Sequence, residues 1–346
     1  METTDPIAPL VNRVNVSQMP PGLAEKTLNR LKELKDLRES PSFLPELDRI
    51  SRYIDWIVPL PWNIRTKDIL DIERATEVMN KHHYGLHNLK DRVLEYISIM
   101  LLKSKQEENI VRAPILCFVG LVGTGKTTMA ISVAEALGRK FARIPFGGMG
   151  DPLDLRGQSR AHLEAEPGKV IKALRGAQSK NPVILLDEID RVTDEGRASI
   201  MGVLVELLDP RQNHAFVDHY IDFPFNLSEA IFIATANNTT GIATAVMDRL
   251  EPITMPSYND EEKIEIGRKY LLPRALKEAG MPEGAIVFDD AVWPQIVRPL
   301  GFDGGIRTLE RTIKGAVRKV ARMIVEGKTE SVTINQENVK KYLPQW

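Results

Sequence analysis

One cysteine, no long apolar run and no excess of either charge set the limits of this sequence before any motif does. With Cys117 alone, an internal disulfide is excluded and a reducing compartment fits. Its place in the run PILCFVG predicts a buried strand residue rather than a reactive thiol. No apolar stretch approaches the roughly 18 residues that mark a membrane-spanning helix, and METTDPIAPL lacks the basic-then-apolar pattern of a secretory signal. A cytoplasmic protein without a membrane partner is the expectation. Lys and Arg number 46 against 47 Asp and Glu, so bulk charge gives no case for nucleic acid as the main partner. The few histidines, among them the pair His82–His83 and His214 with His219, lack zinc-ligand spacing, and structural roles are expected for them. Internal repeats and low-complexity tracts are missing too.

What is there is a chain of 346 residues, long enough for two or three compact units. Residues 1–21 are polar, proline-punctuated and end in MPPG, which predicts a flexible lead-in. Residues 22–105 read as a helical region. Leucines at 23, 28, 31, 34 and 37 mark an amphipathic helix that packs on the chain's own next helix. That next helix, within SFLPELDRISRYIDWIVPLPW, is stopped by Pro59 and Pro61, with Trp56 and Trp62 as packing elements. A further helix runs from Leu89 to about Lys105. Over 106–256 the texture changes. Strand-like runs at 114–119, 141–145, 183–187, 230–236 and 252–255, mostly separated by helical segments, predict a parallel sheet covered on both faces, an α/β domain. Residues 257–346 revert to helix and predict a small helical domain.

The stretch FVGLVGTGKTTMAISVAEAL places Gly120, Gly125, Lys126 and Thr127 in the spacing G-x-x-x-x-G-K-[ST], with a strand before it and a helix after it. Glycines let backbone N–H groups close around phosphates, and the helix aims its positive end at them. Gly123, Thr124 and Thr128 complete the loop. Lys126 would reach the β- and γ-phosphates, and Thr127 would ligate Mg²⁺. In NPVILLDEID a buried strand delivers Asp187 and Glu188 to the same end of the sheet. Asp187 suits Mg²⁺ held through its water shell, and Glu188 suits a base for the attacking water. Asn237, closing AIFIATANN, is placed to contact the γ-phosphate or position that water. Arg249 and Arg307 are further candidates for stabilising phosphoryl charge, with surface ion pairs as the competing reading of both. ATP or ADP and Mg²⁺ are the expected cofactors.

The long stretch LLDEIDRVTDEGRASIMGVLVELLDPRQNHAFVDHYIDFPFNLSEAIFIATANN resembles the AAA+ ATPase module of Lon-type ATP-dependent proteases. RYIDWIVPLPW, HYGL, RVLEYISIMLLK, GGMGDPLDLRGQ and GGIRTLER match that family in the same order, so the resemblance covers roughly residues 45–345. It implies an AAA+ P-loop fold with a helical lid. Asn237 takes the sensor-1 role, Arg249 that of an arginine finger reaching a neighbouring subunit, and Arg307 that of sensor 2. It also implies a ring, usually a hexamer, that unfolds and threads polypeptide for proteolysis.

Three departures from that pattern matter. Leu121 and Val122 stand where the family usually has two prolines, with the ligating residues intact. The sequence stops at KKYLPQW, so no peptidase activity is expected of this chain alone and a separate peptidase becomes the implied partner. In SRAHLEAEPGK, finally, the aromatic–aliphatic pair of the family's pore loop is His162 and Leu163, followed by Glu164 and Glu166. His offers less packing area than an aromatic ring, and its charge changes with pH. Two function classes follow: a polypeptide-threading ATPase, favoured by Glu188, Asn237, Arg249 and Arg307, or a nucleotide-gated assembly protein, favoured by the altered loop. A DNA-acting ATPase of the same class finds no basic stripe to support it.

Overall fold

Each of the five apolar runs forms a strand; Val183–Asp187 and Ile231–Ala236 are buried along their whole length, as a sheet covered on both faces requires, and Phe141–Pro145 and Leu250–Thr254 only in part. The computed structural model describes residues 5–104, 115–298 and 303–343. Strands β1 (Ile115–Val119), β2 (Phe141–Pro145) and β3 (Val183–Asp187) are followed by a short antiparallel ribbon of β4 (Phe216–Val217) and β5 (Pro224–Phe225), then by β6 (Ile231–Ala236) and β7 (Leu250–Thr254). The main sheet is wholly parallel in the order β2-β3-β6-β1-β7. Its register pairs Cys117 with Ala234 and Pro145 with Asp187, so the carboxyl ends of β1, β3 and β6 line one rim.

Alternation along β3 sorts the layers. Ile184 and Leu186 join one apolar cluster, Val183 and Leu185 the other, and all four are buried. The first face is covered by helices Lys169–Ala177 and Arg197–Leu208 and by the N-terminal helices Ala8–Asn15, Pro21–Asp36 and Phe43–Ile57. The second is covered by helices Ile72–His82, His87–Ser104 and Lys126–Leu137. The helical region read over 22–105 is therefore split between two faces, its described part ending at 104. Its two halves are joined by an extended segment laced to the sheet: Arg139 grips the Asp68 carboxylate at 2.6 and 2.8 Å, and Asn181 accepts from the Thr66 amide at 2.9 Å. Trp62 starts that crossing. Its indole N–H donates to the Ile57 carbonyl at 2.8 Å and its ring packs on Phe225 at 4.9 Å, the packing role expected of it.

The expectation of a flexible lead-in is overturned for residues 5–21. Ala8–Asn15 is helical, and Ile7, Leu10 and Val14 are buried together in the first-face cluster. Their spacing of three and four residues is helical, a pattern masked by the polar and proline residues around it. Asp5 anchors the entry: its carboxylate accepts from the Ile7 amide at 3.1 Å and pairs with Arg38, and that backbone bond first of all holds its carboxyl below the usual range.

A third cluster forms the small C-terminal domain, with Trp293, Leu309, Ile313 and Ile334 at its centre. Helix Asp260–Ile266 opens on a reciprocal cap between Asn259 and Glu262. It runs through a π turn at Gly267–Leu271, where Trp293 lies so close that a Cβ on Gly267 would sit 2.4 Å from its ring. Besides helices, this domain holds a parallel pair, β8 (Ile286–Phe288) with β9 (Val332–Ile334). Among the described residues no helix is long and apolar enough to cross a membrane.

Candidate ATPase site

The site grows from the rim of strand ends. After β1 the chain turns at Gly120, where a Cβ would lie 2.6 Å from the Met255 carbonyl; only glycine lets the loop leave between β1 and β7. Gly123 (φ +84°) and Gly125 (φ +98°) hold the left-handed conformations that let the loop curl back on itself. Thr124 is buried and donates its hydroxyl to the Leu121 carbonyl at 2.9 Å, so it braces the loop and offers a ligand only its backbone. Thr128 caps Gly125 in the same way at 2.8 Å. Helix Lys126–Leu137 then begins with its free N–H groups and positive end facing the loop.

Lys126 is buried, and its ammonium donates to the carbonyls of Gly120 (2.6 Å) and Leu121 (3.0 Å) and to Asn237 Oδ1 (3.0 Å). Burial lowers its pKa, while Asp190, Glu188 and Asp187 push it back up. Asn237 is thereby brought to the lysine. A residue that the sequence reading did not single out holds it there: Asp190 accepts from the amides of Asn237 (3.1 Å) and Asn238 (3.3 Å).

Asp187 is buried. One oxygen accepts from Thr235 Oγ1 at 2.5 Å, and the other is gripped by Arg143 through Nε (2.7 Å) and Nη2 (2.5 Å). Arg143 was likewise missed. Its signal is the pairing of β2 with β3, which strand order supplies and local pattern does not. Glu188 stands at φ +58°, an uncommon conformation for a residue with a side chain. Its amide donates to Thr235 Oγ1 at 2.9 Å, and its carboxylate lies against Gly147, where a Cβ would come within 3.1 Å of Oε2. The strained turn brings Glu188 to the wall of the cleft, where its carboxylate also accepts from Arg191 at 3.3 and 3.4 Å.

The small domain closes the cleft from above. Ile306 donates its amide to the Gly123 carbonyl at 3.0 Å, a Cβ on Gly305 would be 2.4 Å from the Val122 carbonyl, and Arg307 lines the cleft. The two residues that replace the family's prolines sit at this junction, with the Leu121 side chain packed against Gly304. The cleft measures about 350 Å³, and a third wall brings His82, His83, Tyr84, Ile131 and Tyr270 beside the loop. His82 and His83 therefore line the cleft, and His214 and His219 are not among its lining residues. His83 is buried, shares a hydrogen bond with Ser132 Oγ at 2.9 Å, and is pushed down to about 4 by burial and then by Lys90 and His82. Its ring is neutral.

Thr127 and Asp187 face the cleft together. A hydroxyl and a carboxylate are hard oxygen donors, and so small a protein set fits Mg²⁺, which keeps several waters. Arg249 stands apart from the residues that line its own cleft. Its guanidinium donates to the Ala245 carbonyl (2.7 Å) and to Asp209 (3.1 Å). His162 and Leu163 are also remote from the cleft, on an exposed turn where Leu163 is 84% accessible. Glu166 is tied to Lys172 at 2.6 Å, so of the two glutamates expected on this loop it is already paired within the chain. Cys117 is buried, its thiol pushed up to about 12 by burial, as its apolar run predicted.

Comparison with known proteins finds two family models and a set of similar proteins. The family model "ATPase family associated with various cellular activities (AAA)" matches residues 116–258, and "Lon protease AAA+ ATPase lid domain" matches 277–333. The chain is 44% identical over 329 residues to a Lon protease of Dictyoglomus thermophilum, covering 95% of this chain and 38% of that protein. It is 45% identical over 305 residues to Lon protease 2 of Thermus thermophilus (86% and 38%) and 40% identical over 343 residues to a Lon protease of Lawsonia intracellularis (99% and 40%). The chain thus spans about two fifths of the length of these relatives. With an AAA domain and a Lon lid in succession on one cleft, it belongs to the AAA+ ATPase modules of the Lon family.

Proposed function

We propose that this chain is the motor module of an ATP-dependent proteolytic system, coupling ATP hydrolysis to the unfolding and threading of polypeptide. The observation that carries the reading is the convergence of Lys126, Asp187, Glu188, Asn237 and Arg307 on one cleft between sheet and lid. Loop amides and Lys126 bind the phosphates of ATP. Glu188 accepts a proton from the attacking water, and Asn237 orients that water. Arg307, carried on the lid, meets the charge that develops on the transferred phosphoryl group. Mg²⁺, when bound through Thr127 and Asp187, would neutralise phosphate charge. The neutral His83, Tyr84 and Ile131 form an apolar wall suited to the base of the nucleotide.

Arg249 completes the reading in trans. Held by Asp209 away from its own cleft, it suits a finger inserted into the cleft of a neighbour, which makes the active form a ring, a hexamer by family likeness. His162 and Leu163 grip the cargo, a separate or linked peptidase receives it, and the cytoplasm is the setting. The alternative, a nucleotide-gated assembly protein that threads nothing, draws on the missing aromatic at His162. Glu188 in the cleft favours the motor, since a pure binding switch has no use for a base beside the phosphates. The test is ATP turnover with and without an unfolded protein, with Glu188→Gln as the blank. Stimulation by the unfolded chain supports the motor; turnover indifferent to it at ring-forming concentrations supports the switch.

A further inference from the structure

The substrate loop has a built base. Its two ends meet at Gly157 and Gly168, where backbone crowding is such that a Cβ on Gly168 would lie 2.6 Å from the Gly157 amide nitrogen. Both ends are pinned to one turn, residues 218–222. The buried Asp218 accepts from the amide of Gly168 at 2.7 Å as well as from those of Tyr220 and Ile221, and the His219 amide donates to the Arg156 carbonyl at 2.7 Å. That turn is fastened in its own right to the N-terminal helices. Tyr53 donates its hydroxyl to the Ile221 carbonyl at 2.9 Å and rests its ring against Tyr220, and Lys26 pairs with Asp222 at 2.8 Å. Asp222 holds a left-handed conformation (φ +51°) in doing so.

Arg160 ties the three parts together. It rises from the loop, lays its guanidinium over the Tyr53 ring at 4.0 Å, and faces Asp222 at 3.5 Å. A planar cation suits this place: it stacks on the ring face while its edge meets the carboxylate, and an ammonium cannot do both. Two residues on, His162 and Leu163 stand exposed in a turn closed by the bond from the His162 amide to the Ser159 carbonyl.

We propose that Arg160 is the positioning residue of the substrate loop, and that the N-terminal helices set the loop's height and stiffness through Tyr53 and Asp222. The inference rests on the reading of His162 and Leu163 as the cargo grip. It adds a partner for that grip inside the chain, the N-terminal helix Phe43–Ile57 that carries Tyr53. The substitution is testable because Arg160 borders a cavity of about 430 Å³ lined by Arg30, Arg49, Tyr53 and Asp222, so its removal opens an existing space and leaves the apolar core intact.

The experiment is hydrogen exchange on the whole chain combined with cargo-stimulated ATP turnover, for wild type, Arg160→Ala and Arg160→Lys. Arg160→Ala is expected to speed exchange over 159–165 by about fivefold and to leave exchange over 120–130 unchanged. It should keep basal turnover within about twofold and raise the cargo concentration for half-maximal stimulation about fivefold. Arg160→Lys, which keeps the charge and loses the stacking fork, should fall between. Unchanged exchange at 159–165 in Arg160→Ala overturns the proposal. Faster exchange with an unchanged cargo response overturns the link from loop position to cargo. Faster loop exchange in Arg160→Ala, together with wild-type turnover that ignores cargo, overturns the motor reading and leaves the positioning of the loop standing.

Discussion

The nucleotide cleft and the substrate loop belong to one domain and are built on opposite rules. In the cleft the polar groups that meet the phosphates are held at more than one point: Lys126 by three acceptors, Asp187 by Thr235 and Arg143, Asn237 by Lys126 and, through its backbone amide, Asp190. On the loop only the stem is held, and the tip offers His162 and Leu163 to solvent. Chemistry on one fixed phosphate rewards dipoles that need no reorganisation. A grip on changing polypeptide needs a fixed base and an adaptable end. Leu121 and Val122 lie between the two, meeting the lid through backbone and through packing on Gly304.

Breaking the cleft should therefore cost far more than altering the tip. Glu188→Gln keeps size and hydrogen bonding and removes the base, and it should lower ATP turnover by about 10²–10³-fold. Because neither Lys126 nor the loop amides change, affinity for a fluorescent ADP analogue should stay within about twofold. A variant that keeps a tenth of wild-type turnover would remove Glu188 from the role of base.

His83 tests the cleft's second wall. It is neutral in the fold, its pKa lowered to about 4 by burial, against about 6.5 in the unfolded chain. The unfolded state thus binds more protons between these values, so stability is fully present above pH 6.5 and is lost as pH falls toward 4. Between pH 7.5 and pH 5 the loss from this group is about 2 kcal/mol. Urea unfolding at the two pH values should show wild type losing that much more than His83→Gln, whose amide keeps a partner for Ser132. Equal losses in the two chains would mean that His83 charges freely where it stands.

How much of this was legible beforehand follows the same division. The central strands could be read because burial on both faces makes Val183–Leu186 and Ile231–Ala236 nearly unbroken apolar runs, the edge strands from shorter apolar stretches, and the phosphate loop from a glycine spacing with Lys and Thr between a strand and a helix. Asp187 and Glu188 could be singled out from a strand end beside the phosphate loop, and Asn237 with the help of the family resemblance. Arg143, Asp190, His83 and Tyr84 could not, because their roles arise from which strands and helices become neighbours, and local periodicity carries no strand order. Helix Ala8–Asn15 was hidden among prolines, and β8 with β9, three residues each, is too short to leave an alternating pattern.

The lid junction lies between the two extremes. Gly305 passes so near the Val122 carbonyl that Gly305→Ala must push the lid or the loop aside. Since Arg307 rides on that lid, affinity for ATP should fall about tenfold, with a smaller loss for ADP, which lacks the γ-phosphate that Arg307 is proposed to meet. Equilibrium binding of both nucleotides reads the difference. An equal loss for the two would place Arg307 away from the γ-phosphate.

The smallest effect is expected at the tip, and it bears most on function. His162→Tyr restores an aromatic beside Leu163 at an exposed site whose backbone is held by the Ser159 carbonyl and whose neighbour Arg160 is already stacked elsewhere. The ring adds packing area against any chain it meets, and nothing in the cleft moves. Basal turnover should be unchanged and stimulation by an unfolded protein should rise about twofold. If stimulation rises, the loop touches cargo and the native histidine is a weaker grip on a working motor. If both rates stay where they were in a chain whose cleft is intact, area at this tip does not limit coupling. The burden then shifts to Leu163, whose replacement by Ser should abolish stimulation if the loop grips at all.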